Sequence, residues 1–413
     1  MVQQNSDAIG SQRRHTERIL RVLSRHGALS RSEIAARVGV SRTTLSDLTG
    51  LLLEQGAIVV AETDAASRVG RGRPAERLAL DPEAGQFMGV DFGRGRVHVA
   101  VADAAHNIIA SGGLRYPIGA AWPERITTAF ELIQGLSDAT GTHYGALRGI
   151  GIGFPGPLAP QAGAVGDPRQ DAHESAGDLV SASFAERFGA QVTMDNNNRF
   201  AALAEASWRR HSGTENLLYL RISDGIGGGI IAGGRLLTGA AGFAAELGHV
   251  TVDLAGRDCH CGKRGCLETV ASLPAVLDKC RAAGASIASI EDLRRAVAAD
   301  DPIASDVLRE SATAIGRVLG AAAVTVNPSE IVLAGDLIEA APAVLQHAGS
   351  VIGYELLPML PNRPVIRGAR LGDDAGALGA LIALFHQSPL LAGYSEADPS
   401  PIVVRAGLTK RRA

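Results

Sequence analysis

Near the N-terminus apolar positions recur at helical spacing. In "RRHTERILRVLSRHG" Ile19, Leu20, Val22 and Leu23 fall on one face, and Gly27 ends the helix. In "LSRSEIAARVGV" Ser30 stands three residues before Glu33, a capping box, with Ile34, Ala35 and Val38 as the apolar face behind it. Gly39-Val40 makes a tight turn, and Ser41 caps a third helix in which Leu45, Leu48, Leu52 and Leu53 recur. Three short helices with a glycine-containing turn between the second and third describe a helix-turn-helix. Arg42, Thr43, Thr44 and Ser46 then sit exposed at the start of the third helix, where a recognition helix meets base edges and phosphates. The plain alternative is a three-helix packing module whose polar residues are merely solvated.

Two β-like runs follow, "AIVVAETDA" and the end of "SRVGRGRPAERLAL", around a basic, glycine-containing loop, which predicts a winged helix. Gly72 and Pro74 keep Arg71 and Arg73 extended, a shape that suits a narrow, negative A·T minor groove; a flexible charged linker is the alternative. Charge supports a nucleic-acid module at this end. Residues 1–80 hold 12 Arg against 8 acidic residues, +4, while the rest holds 28 basic against 35 acidic residues, −7.

Beyond residue 82 the pattern is mixed α/β. "FMGVDFGRGRVHVAVAD" reads as a hairpin with Asp91 at the turn, and strands recur at "RGIGIGFPG", "AQVTMD", "NLLYLRIS", "GIIAGGRLL" and "EIVLAG". Helical stretches fall around 123–139, 178–188, 199–210, 270–282 and 303–326. A hairpin followed by a glycine turn occurs twice, at Asp91 and at Ser223–Gly229, which predicts two related halves facing a cleft. In "SDGIGGGI" Gly225, Gly227, Gly228 and Gly229 allow close approach of a ligand to the backbone, or serve only the hairpin. No apolar run approaches the roughly 18 residues needed to span a bilayer, so a cytoplasmic chain with no membrane contact is expected.

The most specific local signal is "ELGHVTVDLAGRDCHCGKRGCLE". His249 with Cys259, Cys261 and Cys266 makes a soft, tetrahedral donor set suited to structural zinc. His260 is an alternative ligand, three buried free thiols are the bland reading, and Cys280 is left over for the core. Zinc would fix the loop that carries Glu246 and Glu268. Carboxylates held this way are good acceptors for sugar hydroxyls.

On these residues, residues 82–385 resemble the ROK family of repressors, uncharacterised reading frames and sugar kinases, and with a winged helix in front the chain resembles the family's transcriptional repressors. The resemblance implies a two-lobed, actin-like (ribonuclease-H-like) α/β fold with sugar in the interlobe cleft. It implies that Asn196, Glu246, His249 and Glu268 bind sugar and that His249, Cys259, Cys261 and Cys266 bind zinc. Family kinases carry Asn-Asp at the end of the strand read here as "VTMDNN", and the Asp is the general base. That alignment places Asn196 on the Asn and Asn197 on the Asp. An amide cannot take the proton, and losing a general base costs about 10²–10⁴-fold in rate; Asn197 can still hydrogen-bond a sugar hydroxyl. Asp195 lies two residues back on the strand and is no easy substitute. The phosphate loops depart as well. Asp91-Phe92-Gly93-Arg94-Gly95 replaces Asp-x-Gly-Gly-Thr, Asp224 replaces the Thr before Gly225-Ile226-Gly227, and Ala334-Gly335-Asp336 replaces consecutive glycines.

The expected organisation is a winged helix-turn-helix over 1–81, a small ROK lobe over 82–195 joined by a returning helix at about 374–386, a large lobe with the zinc loop over 196–373, and a tail over 387–413 without order. The expected function is a sugar-responsive transcription regulator, a repressor of carbohydrate-utilisation genes, that binds operator DNA as a homodimer or homotetramer and does not phosphorylate its effector. A sugar kinase with a regulatory winged helix, and a constitutive regulator whose body only dimerises, are the alternatives.

Overall fold

The computed structural model describes residues 15–387, apart from 17, 21, 24–25, 55, 64–75, 82–84, 145–146, 157–167 and 208–213. The expected tail from about 388 lies outside the described residues.

At the N-terminal end, α1 (Arg31–Val38) and α2 (Arg42–Glu54) follow helical residues that include Ile19, Leu20 and Leu23. The capping box forms: the Ser30 amide donates to Glu33 Oε2 at 2.8 Å, and the Glu33 amide to Ser30 Oγ at 3.4 Å. Gly39, at φ 75°, closes α1 in the left-handed conformation. Ser41 Oγ accepts from the Thr44 amide at 3.1 Å and starts α2. β1 (Leu29–Ser30), β2 (Ile58–Thr63) and β3 (Glu76–Leu80) form an antiparallel sheet in the order β1-β3-β2. Ile19, Leu23, Ile34, Val38, Leu45, Leu48, Leu52 and Leu78 make its core. Burying each such side chain stabilises the fold by about 1.5–3 kcal/mol. Arg31 pairs with Glu76 at 2.7 Å and fastens the sheet to the helices. This is the winged helix expected from the periodicity.

The rest of the described chain is built from two five-stranded sheets of one topology. β4 (Gln86–Phe92), β5 (Arg96–Asp103), β6 (Ile108–Arg115), β7 (Leu147–Phe154) and β8 (Gln191–Asn196) lie in the order β6-β5-β4-β7-β8. β9 (Leu217–Ile222), β10 (Ile226–Ala232), β11 (Arg235–Leu236), β12 (Glu330–Ala334) and β13 (Val365–Gly368) lie in the order β11-β10-β9-β12-β13. In both, the first three strands form an antiparallel meander and the last two add in parallel. Helices α3 (Trp122–Thr140) and α4 (Pro168–Phe188) make the crossovers of the first sheet. α5 (Asn197–Ser207) leaves β8. The second sheet carries α6 (Leu267–Ala271), α7 (Leu273–Ala282), α8 (Ile290–Ala298), α9 (Pro302–Val326), α10 (Asp336–Ala340) and α11 (Ala343–Glu355), and α12 (Ala375–Gln387) ends the fold.

α5 and α12 sit between the two sheets. One core joins Phe87 and Ala100 of the first sheet, Phe200 and Leu203 of α5, Leu378 and Leu381 of α12, and Leu217, Tyr219 and Val332 of the second. Contact there is so close that a Cβ at Gly379 would run into the Phe200 backbone, and one at Gly89 into the Ala377 carbonyl. This is the two-lobed actin-like arrangement.

The structure adjusts the sequence reading in places. Asp91 is not at the turn: it lies in β4, paired with His98 and Gly153, and Gly93–Gly95 makes the turn. The helix expected over 270–282 is two helices parted at Ser272, whose side chain caps the second by accepting from the Ala275 amide. β6, β13, α8, α10 and α11 carried no clear signal in the pattern. No helix among the described residues is long and apolar enough to cross a membrane.

Candidate functional site

The first wall of the cleft is the junction of β8 and α5. Asn196 Oδ1 accepts from the Asn198 amide at 2.8 Å and the Arg199 amide at 3.3 Å, so its acceptor is spent on the helix cap. Its amide nitrogen is the atom left for a ligand. Asn197 Nδ2 donates to the Phe92 carbonyl of β4 at 3.2 Å, and its Oδ1 is buried with no partner. Asp195 is buried and ion-paired to Arg199, four residues along, and Arg199 also donates to the Gly242 carbonyl. Burial pushes the Asp195 carboxyl up, and Arg199 pulls it back. Asp195 thus faces a buried cation that holds the 242–246 turn, not a ligand.

The opposite wall starts at Ala245, held at φ 66°, a left-handed conformation uncommon for a residue with a Cβ. It sets Glu246 at the head of the short 3₁₀ turn Leu247–His249. Burial pushes the Glu246 carboxyl up, Arg199 lowers it, and the nearby Glu268 carboxylate raises it again. Glu268 is gripped on both oxygens: Oε2 accepts from the Ile226 amide at 2.8 Å, and Oε1 lies 2.8 Å from His260 Nε2. The walls therefore carry two neighbouring carboxylates and the Asn196 amide nitrogen, groups of the kind that hydrogen-bond hydroxyls, while both polar atoms of the Asn197 side chain are turned inward.

Behind Glu268 the donor atoms of His249, Cys259, Cys261 and Cys266 all lie within 4.8 Å of one another. His249 Nδ1 is 3.6 Å from Cys259 Sγ, and Cys261 Sγ is 3.6 Å from Cys266 Sγ. Thiolates bound at 2.3 Å to one tetrahedral ion stand about 3.8 Å apart, so the spacing fits one ion. A second set, His249, Cys259, His260 and Glu268, is equally close. It offers one thiolate where the first set offers three, so the Cys₃His set is the one whose donors match a structural zinc. Cys280 is buried in the core of the second lobe, away from this loop.

The two expected phosphate turns meet. Arg94 Nη1 of the first lobe lies 3.6 Å from Asp224 Oδ2 of the second. Deeper in, Asp373 pairs with Arg96 of β5 and lies 3.9 Å from Arg221 of β9. Asp91 is buried between these cations, and burial lifts its carboxyl to about 6 against their pull. Gly225 and Gly227 are small for packing reasons: a Cβ at Gly225 would lie 2.8 Å from Glu268 Oε2, and one at Gly227 would overlap the Asn198 side chain.

On the winged helix, Arg42, Thr43, Thr44 and Ser46 are all exposed on the first turns of α2, while Leu45 and Leu48 between them face the core. Arg71 and Arg73 lie outside the described residues. Sequence reasoning missed Arg199, Arg221, Arg96 and Asp373. Arg199 had a signal, since a cation four residues after an acid at a helix start reads as a pair. Asp373 had none, because its partners are far away in the chain.

Residues 87–388 match the ROK family, and residues 12–59 match a winged helix-turn-helix DNA-binding family. The DNA-binding transcriptional dual regulator NagC of Escherichia coli (strain K12) is 28% identical over 385 residues, 88% of this chain and 90% of that protein. The xylose repressor of Bacillus subtilis (strain 168) is 26% identical over 361 residues, 87% of this chain and 92% of that one. A crystal structure of a ROK family transcriptional regulator, a homologue of the E. coli MLC protein, superposes with a TM-score of 0.73 at 25% identity, over 91% of this chain and 97% of that one. The ROK hexokinase of Thermus thermophilus reaches a TM-score of 0.60 at 28% identity, over 72% of this chain and 97% of the hexokinase.

Proposed function

This chain belongs to the ROK family, and from that premise we propose that it is a sugar-responsive, DNA-binding repressor whose ROK body senses its effector without phosphorylating it. The winged helix reads operator DNA, with Arg42 on phosphate and Thr43, Thr44 and Ser46 at base edges; Arg71 and Arg73 extend the contact into the minor groove. The effector lies between Asn196 and Asn197 on one wall and Glu246, His249 and Glu268 on the other. One zinc on His249, Cys259, Cys261 and Cys266 supplies structure only: it holds the loop that presents both carboxylates. The winged helix takes residues 1–81, the lobes divide near 195, and the chain works as a dimer or tetramer on paired half-sites.

The observation that carries the loss of catalysis is the pairing at the strand end. The general-base position is an amide, bonded to the Phe92 carbonyl and to the buried Asp91 carboxyl, and Asp195 at the strand end is locked to Arg199. Neither can accept a proton from a sugar hydroxyl.

Anisotropy of labelled DNA from upstream of the chain's own coding region tests the whole reading. N-acetylglucosamine and xylose, which the names of the relatives point to, head a panel of sugars and sugar phosphates, each with and without ATP. A sugar that shifts DNA affinity at least fivefold, with no effect of ATP, is expected. An ATP-dependent shift together with sugar phosphate formation would restore the kinase reading.

A further inference from the structure

α12 runs from the cleft to the junction with the winged helix. At its start, Gly376 packs so closely on Asp91 that a Cβ there has no room. Asp373, two residues ahead of the helix, pairs with Arg96 of one lobe and Arg221 of the other. The 13 residues of the helix span about 20 Å. In its last turn the Phe385 ring stacks on His106, with centroids 3.6 Å apart and planes at 13°, and meets Phe87 edge-on at 5.4 Å.

His106 sits in the turn between β5 and β6 at φ 68°, and its amide donates to the Asp103 carbonyl at 3.0 Å. In the same turn, Ala105 packs against the winged-helix core. Gln86 is the register partner of Asp103, so this turn lies beside the point where the chain enters the body from β3. The winged helix thus touches the body at Ala105, one residue from the His106 ring on which the end of α12 stacks. Between its ends α12 has no slack, since Gly89, Gly151 and Gly379 bring backbone against backbone along it.

We infer that α12 is the transmission rod of the protein: the ionic contacts of Asp373 fix its cleft end, and the Phe385–His106 stack passes its position to the winged helix through Ala105. The inference deepens the regulator reading and rests on it for its purpose, but its test needs neither DNA nor effector. Hydrogen–deuterium exchange of β3 and α2 is measured in the full chain, with and without Asp373→Asn. Asp373→Asn is expected to change exchange there at least threefold. That response should vanish when His106→Ala is also present, although residues 373 and 106 share no contact. Independent sites that far apart add within about twofold. Phe385→Leu, which keeps an apolar side chain and removes the stack, should abolish the response in the same way and covers the case in which His106→Ala does not fold. The inference is overturned if Asp373→Asn leaves the winged helix unchanged, or if its effect persists in Phe385→Leu. Absence of DNA binding by the unaltered chain would sink the regulator reading alone and would leave the exchange result intact.

Discussion

Arg94 and Asp224 face each other across the cleft at 3.6 Å, each on a turn that family kinases use for phosphate. The side chains are 58% and 43% exposed, so the pair is worth at most about 1 kcal/mol. On the proposed reading its importance is occupancy: the pair fills the gap between the two turns that the family resemblance assigns to phosphate. Restoring the missing carboxylate should therefore not restore catalysis. An Asn197→Asp variant is expected to stay at background in a coupled ATP assay with every sugar that binds. Clear turnover would mean that the phosphate path is open.

Cys266 is fully buried and contributes one of the four clustered donors. Purified protein should carry about one zinc per chain by elemental analysis. Cys266→Ser should weaken zinc retention against a chelator by more than the 10–100-fold typical of losing an outer-shell partner. Sugar affinity should fall with it, because Glu246 and Glu268 lose their common support. Full sugar affinity in metal-free protein would contradict this.

Asp91 gives a pH dependence of defined sign. Its carboxyl titrates at about 6 in the fold against an ordinary 3.8. As pH rises through that window the unfolded chain releases the proton first. The folded state therefore loses up to about 3 kcal/mol, fully above pH 6 and not at all below 3.8. Asp91→Asn should raise the urea midpoint at pH 7.5, and its advantage should disappear near pH 4. A variant equally affected at both pH values would refute the buried-carboxylate explanation.

Glu205 anchors the second lobe to α5. Its carboxylate accepts from Arg367 at 2.7 Å and from the Arg370 and Leu371 amides at 2.6 and 2.8 Å, and it is almost fully buried. Removing one partner of such a pair leaves a buried charge unmatched, at a cost of about 3–5 kcal/mol. Arg367→Ala should lower the denaturation midpoint of the body accordingly while the winged helix still melts as before.

On the DNA side, Arg42→Ala should reduce affinity for every duplex alike and lower the slope of log K against log salt by about 0.9. Thr43→Ala or Thr44→Ala should instead relax the preference for particular bases, at about 1–3 kcal/mol per base pair. Titrations at three salt concentrations separate the two effects.

What could be read in the chain follows the range of the forces involved. The capping box at Ser30 and Glu33, the Leu45/Leu48/Leu52 face and the crowded thiols of Cys259, Cys261 and Cys266 are local, and each appears as a spacing. The proposed roles of Glu246 and Glu268, and of Asn197 at the base position, rest on likeness to a family and on no spacing in the chain. The partners of Glu268, the Ile226 amide and His260, were not legible in the sequence. The cleft ion pairs join residues more than a hundred positions apart, Arg94 with Asp224 and Arg96 with Asp373, and no periodicity encodes such a meeting. The glycines of β10 looked like a phosphate cradle because sequence alone does not separate room for a ligand from room for a neighbouring helix.

The shared topology of the two sheets bears on how such a molecule diversifies. The proposed ligand groups sit at the ends of strands and the starts of helices, while α12 and the strands it packs on carry glycine at contacts where any added atom would collide. Substitution at those contacts forces backbone apart, whereas the rim of the cleft has room to change, so one packed body is physically compatible with many small molecules.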